Sequence, residues 1–206
     1  MGRDFFRYAQ KVSRARTCTN ISKKKENTIM KHGYIAGSLF SEAEIRQRLY
    51  EGEALKNCTK DRVEWFNPIE APCNDKSKLP TAEDIFSGDT AEILKCDYIV
   101  ADLSNNDPGV MMELGVAWGL NHCFKSLLET FDEFGINPPV DFWDSMIKKG
   151  IKPKEVHAVL SDIRIGNAHE YKGIKIPMSY NQYVIGGIEN MGGKVHSSFD
   201  DVVKEL

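Results

Sequence analysis

Glu113 stands six residues after Asp107 in the run Asp107-Pro-Gly-Val-Met-Met-Glu-Leu-Gly-Val-Ala117, directly behind the apolar stretch Asp97-Tyr-Ile-Val-Ala-Asp-Leu103. The apolar stretch reads as a strand buried on both faces and Asp-Pro-Gly as a turn, with a helix following that carries Glu113 in its first turn. Open α/β sheets bind ligands in the crevice at the carboxyl ends of their strands. A fixed carboxylate in that crevice, favoured in its ionised form by the helix N-terminus, is a candidate nucleophile. The same residue could equally serve as a solvated first-turn acid that only complements the helix dipole.

Two further acids are expected at the same strand end. Asp107 flanks the turn. Asp89 lies in a helix that Thr81 should cap and that runs to about residue 95. At 100° per residue it falls between Ile85, Phe86 and Ile93, on the face that packs inward. A carboxylate there is costly unless it is hydrogen-bonded locally or used.

The elements that must position these groups alternate in type. From residue 31 the chain reads as strand (32–37, ending in Gly37), a Ser38-Leu-Phe turn, and a helix to about 57 opened by a Ser41/Glu44 capping box. A short strand at 63–67 precedes a loop holding Pro68, Pro72 and Pro80, then the Asp89 helix, the 97–103 strand and the Glu113 helix. Residues 122–149 carry apolar positions at helical spacing around Asn137-Pro-Pro139, which predicts a helical hairpin inserted before the next strand. A strand at 155–160, in which His157 reads as a core or edge histidine, is followed by a helix at about 179–190, a strand at 194–197 and a terminal helix from Phe199. The fold class expected is α/β, flavodoxin- or Rossmann-like, with about five mostly parallel strands, helices on both faces and a helical insertion after the catalytic helix. Residues 31–206 form that domain. Residues 1–30, with Arg3, Arg7, Lys11, Arg14, Arg16 and Lys23-Lys24-Lys25 against only Asp4 and Glu26, read as a mobile basic arm, with a targeting segment as the other reading.

Composition narrows the function classes. A net charge of −3 leaves no electrostatic footprint for nucleic acid. No apolar run approaches the ~18 residues that cross a bilayer. The five cysteines are odd in number and lack Cys-x-x-Cys or Cys/His ligand spacing, as expected of reduced thiols in a cytoplasmic protein. On that reading the Asn20-Ile-Ser22 and Asn57-Cys-Thr59 triplets are chance matches to a glycosylation signal. There is no Gly-x-Gly-x-x-Gly and no metal-ligand spacing, so neither cofactor nor metal is implied.

Taken in order, Tyr34-Ile-Ala-Gly-Ser-Leu-Phe-Ser41, Ile85-Phe-Ser-Gly-Asp89, Cys96-Asp-Tyr-Ile-Val-Ala-Asp102 and Asp107 to Ala117 resemble the nucleoside 2-deoxyribosyltransferases, over about residues 32–121. The likeness thins across the insertion and returns at Pro177-Met-Ser-Tyr-Asn181. What the resemblance implies is a double displacement of 2-deoxyribose between a deoxynucleoside and a free nucleobase. Glu113 would be the nucleophile at C1′, Asp89 the base-side acid, held protonated by desolvation, and Tyr34 the group that orients the nucleophile. This is the problem that retaining glycosidases solve with two carboxyl groups. Gly37 and Ser38 would line the substrate loop. Asp107 would accept from a free 5′-hydroxyl, where the related 5′-monophosphate N-hydrolases carry Ser. Ser38 points the other way, since a hydroxyl in the first loop also suits phosphate. Asn181 would reach the 5′-hydroxyl in a neighbouring subunit, which implies a homo-oligomer of at least two chains. Two other functions remain open on these residues: an N-glycoside hydrolase of deoxynucleosides or their monophosphates, and a non-catalytic nucleotide-sensing module, against which the full set Tyr34, Asp89, Asp107 and Glu113 argues.

Overall fold

The computed structural model describes residues 30–60, 62–162, 169–172, 174–176 and 180–206. The expected basic arm and the Pro177-to-Ser179 part of the family likeness lie outside them.

Strands β1 (Lys31–Ala36), β2 (Val63–Phe66), β3 (Tyr98–Asp102) and β4 (Glu155–Val159) alternate with helices α1 (Glu42–Thr59), α2 (Ala82–Lys95), α3 (Pro108–Glu133) and α4 (Val140–Lys148). A two-stranded antiparallel ribbon, β5 (His169–Tyr171) and β6 (Ile174–Ile176), precedes α5 (Gln182–Asn190), β7 (Lys194–His196) and α6 (Phe199–Glu205). The main sheet has the order β2-β1-β3-β4-β7, every neighbouring pair parallel. This is the flavodoxin-like order, which reverses direction between β1 and β3. The expected fold class is therefore observed.

Strand alternation divides the core in two. Tyr34, Ala36, Ile99, Ala101, Val156 and Ala158 face Ile93 of α2, Val110, Leu114 and Ala117 of α3, and Ile188 of α5. Ile35, Val100 and Val159 face Leu55 of α1 and Phe199 and Val202 of α6. A sheet buried on both faces needs near-continuous apolar strands, which is how residues 97–103 read. Capping boxes start α1 at Ser41 with Glu44 and α2 at Thr81 with Asp84, satisfying N–H groups that a helix N-terminus leaves unpaired.

Three expectations need correction. Asp107 is the N-cap of α3, so Glu113 stands in the second turn rather than the first, and the first turn holds no acid. The helix dipole, which acts within the first turn, therefore has less hold on Glu113 than its sequence position suggests. The first arm of the 122–149 hairpin is not a separate helix; it is the continuation of α3 to Glu133, with α4 as the second arm. Phe131, Phe142 and Trp143 pack edge-on where the two arms meet, with Phe124 tilted against Trp143. Phe86, placed on the inward face of α2, is 48% exposed, so that face is narrower than the helical wheel implies. The β5–β6 ribbon had no counterpart in the sequence reading.

Candidate active site

Tyr34 lies in the middle of β1 and is fully buried, stacked on Phe66 of β2. Its hydroxyl donates to Glu113 Oε1 at 2.6 Å, joining β1 to the second turn of α3 across the point where strand order reverses. Glu113 Oε2 is also buried and has no hydrogen-bond partner among the described residues. One carboxylate oxygen is thus held and the other left with its lone pairs uncommitted.

Burial is the main reason the Glu113 pKa is pushed up to about 7, with the negative charges of Asp89 and Asp107 adding to it and the Tyr34 hydrogen bond opposing it. The sequence reading expected the helix end to favour the ionised form; in the structure desolvation outweighs it. The Tyr34 hydroxyl is pushed upward by burial and by the Glu113 and Asp89 charges, and so stays a proton donor. Asp89 is half-buried on α2, and Asn74 Nδ2, from the proline-rich loop, approaches Asp89 Oδ1 at 3.5 Å. Three of the expected residues, Tyr34, Asp89 and Glu113, are therefore brought together, with Asp107 close enough to act on Glu113 through its charge.

Asp107 has a second duty. Its Oδ1 accepts from the backbone N–H groups of Gly109 and Val110, at 2.7 and 3.1 Å, leaving Oδ2 to meet anything in the crevice. Ser38 is buried and its hydroxyl hydrogen-bonds the Glu44 carboxylate, which also accepts from the N–H groups of Phe40 and Ser41 and from Asn105 Nδ2. The loop donors that could cradle a phosphate thus already hold a carboxylate of the chain itself. Gly37 packs against the buried Arg48: a Cβ there would fall 1.5 Å from Arg48 Nη1. Arg48 in turn binds Asp102 at 2.6 Å and Glu51 at 2.9 Å and reaches Ala36 O, fastening the carboxyl ends of β1 and β3 together. Asn181 caps α5, its Oδ1 accepting from Tyr183 N–H, and its side chain is exposed. It makes no hydrogen bond to Glu113, whose Oε1 is held by Tyr34 and whose Oε2 has no partner among the described residues.

Sequence reasoning missed Asn74, Phe66 and Glu44. Asn74 sits in a 3-10 turn, Pro72–Asn74, within a loop read only as a spacer. Glu44 was recognised as half of a capping box, and nothing in its spacing announced a second role.

The family model that matches this chain is described as nucleoside 2-deoxyribosyltransferase and spans residues 34–173, two thirds of the sequence. The chain belongs to that family. An uncharacterised protein of Ureaplasma parvum is 29% identical over 106 residues, covering 48% of this chain and 66% of its own length, just short of two thirds. A conserved protein from Enterococcus faecalis has a similar crystal structure, with 28% identity, a TM-score of 0.58, and coverage of 85% of this chain and 96% of that one. A 2-deoxyribosyltransferase from Leishmania mexicana superposes at 20% identity and a TM-score of 0.48, covering 83% and 93%. Among the described residues no helix is long and apolar enough to cross a membrane.

Proposed function

We propose that this family member transfers 2-deoxyribose between nucleobases through a covalent deoxyribosyl-Glu113 intermediate. The observation that carries the reading is the state of Glu113: one oxygen fixed at 2.6 Å from the Tyr34 hydroxyl, the other buried and unpartnered among the described residues. In the first half-reaction a Glu113 oxygen bonds to C1′ and the C1′–N bond breaks. Its electron pair stays on the leaving base, which takes the proton carried by Asp89. In the second, a nitrogen of the incoming base bonds to C1′, its proton passes to Asp89 and the C1′–O bond to Glu113 breaks. The charge of each carboxylate penalises that of the other, so the site would favour one proton shared between Glu113 and Asp89. Asn74 would hold Asp89 on the base side, and Tyr34 would keep Glu113 aimed.

The 5′ end of the substrate is read as a hydroxyl. Asp107 Oδ2 would accept from it, whereas Glu44 and Asp107 together make the crevice hostile to a dianion. The site is completed by a second copy of the chain, with Asn181 reaching a neighbour's substrate. The groove between α3 and α5, about 500 Å³ and lined by Met111, Leu114, Trp118, Tyr183 and Ile188, supplies an exposed apolar surface beside it. Incubation with thymidine and adenine tests the whole reading: deoxyadenosine should appear by chromatography, and without adenine the release of thymine should be slow. Rapid thymine release that adenine does not alter would instead make water the acceptor and the protein a hydrolase.

A further inference from the structure

His157 on β4 and His196 on β7 lie on neighbouring parallel strands in which His157 pairs with Lys194 and Val159 with His196. Residues two apart on a strand share a face, so both imidazoles stand on the α6 side of the sheet. His157 Nδ1 and His196 Nε2 are 3.1 Å apart, and Glu205 near the end of α6 brings Oε2 to 3.8 Å from His196 Nε2. The three ligand atoms lie within 4.8 Å of one another. Behind them Glu155 Oε1 is 3.3 Å from His157 Nε2, which fixes the proton on Nε2 and leaves Nδ1 with its lone pair facing the cluster. Nothing in the sequence announces this grouping, because the three residues come from three elements.

The geometry points to a site for a late first-row divalent cation, Zn²⁺ above all, held by His157 Nδ1, His196 Nε2 and Glu205 Oε2, with Glu155 as the carboxylate behind the first histidine. Two nitrogens on a tetrahedral zinc at about 2.05 Å stand roughly 3.3 Å apart, close to the separation observed. A carboxylate that accepts the other ring N–H of a ligating histidine is the usual support of such a site. Two imidazoles and one carboxylate suit zinc rather than magnesium or calcium, which take oxygen ligands. Without a cation the same atoms form a hydrogen-bonded chain in which His196 Nε2–H donates to His157 Nδ1. Cation binding then requires only that the His196 proton move to Nδ1. Lys194 opposes the cation, since its ammonium pairs with the other Glu205 oxygen. The site is far in kind from the deoxyribosyl chemistry: a cation here would clamp α6 to the edge of the sheet.

The test uses the full chain, stripped with chelator and titrated with ZnCl₂ alone. Equilibrium dialysis with metal analysis should find one equivalent bound, and the melting temperature should rise with zinc but not with magnesium. His196→Gln and Glu205→Gln, both at partly exposed positions, should each weaken binding at least tenfold while circular dichroism shows the fold retained. Glu155→Gln should weaken it about tenfold to a hundredfold. Lys194→Met should tighten it, because Glu205 is then released from its ion pair. Absence of a bound equivalent, or binding by His196→Gln and Glu205→Gln as tight as wild type, would overturn the proposal, the latter because the metal would then sit on groups elsewhere such as the thiols.

Discussion

At the scale of single residues, the proposed role asks two things of Glu113 that conflict. A nucleophile must be ionised, yet burial and the charges of Asp89 and Asp107 hold its pKa near 7. In the free enzyme kcat/KM should therefore fall as pH drops through about 7, the limb being read from initial rates across pH 5–9. Tyr34 is the group that opposes the upward shift, so Tyr34→Phe should move that limb to higher pH as well as lower the rate. A limb that stays in place would show that Tyr34 does not stabilise the carboxylate. The same shift has a stability counterpart. A carboxyl raised from about 4.5 unfolded to about 7 folded favours the native state fully below pH 4.5, and that contribution disappears as pH rises through 7. Glu113→Gln should accordingly match wild type near pH 4 and exceed it at pH 8, by about 3 kcal/mol at most, in urea titrations at the two pH values. The same variant should lose several orders of magnitude in transfer rate. On the proposed reading, Asp107 carries the choice of substrate. A phosphate charge about 4 Å from its carboxylate meets roughly 4 kcal/mol of repulsion at an effective dielectric of 20. Deoxynucleosides should exceed their 5′-monophosphates in kcat/KM, and Asp107→Ser should narrow the gap at some cost in stability, since Ser must then cap α3 in its place.

At the scale of elements, the site depends on the carboxyl ends of β1 and β3 staying together, and Arg48 is what fastens them. Its side chain is 1% exposed and ion-paired to Glu51 and Asp102. Breaking a buried pair by removing one partner strands the other charge, so Arg48→Ala should cost about 3–5 kcal/mol, seen as a lower melting temperature. The elements that could be read from the sequence are those with one clear period: the strands at 97–103 and 155–160, the capped helices at Ser41 and Thr81, and the turn before Glu113. Arg48 and Glu51 are buried in α1, but charged residues count as surface in any pattern, so the inward face of that helix was hidden. The β5–β6 strands are three residues each, too short to show alternation. Helix α3 appeared to end near Asn121 because Gly115, Gly119 and the polar Asn121-His122-Cys123 lower its intrinsic propensity. In the fold, Asn121 is buried, exchanging hydrogen bonds with the backbone of Lys154, and tertiary contact overrides propensity. Asp89 and Glu113 stood out from the pattern, on an inward helix face and close behind a helix start, whereas Tyr34 stood out only through the family resemblance. Their partners Asn74 and Phe66 arrive from loop and neighbouring strand, which no local pattern announces.

At the scale of the whole molecule, the α3/α5 groove leaves Trp118 and Tyr183 38% and 90% exposed, close in sequence to the exposed Asn181. Light scattering at working concentration should find at least a dimer, and Trp118→Lys should reduce both the mass and the transfer activity. An active monomer would remove the shared-site part of the proposal. The α3–α4 hairpin, residues 122–149, stands apart from the core of the sheet. Phe124, Phe131, Phe142 and Trp143 give it an aromatic nucleus of its own, outside both clusters that flank the sheet. From Glu113 to Glu133 the helix extends about 30 Å at 1.5 Å per residue, and every added turn falls at the end remote from the crevice. An element anchored at its start and open at its finish can gain or lose turns over descent without re-aiming Glu113. Length variation among kin should therefore gather at this tip, making it the natural place to splice a foreign segment into the chain.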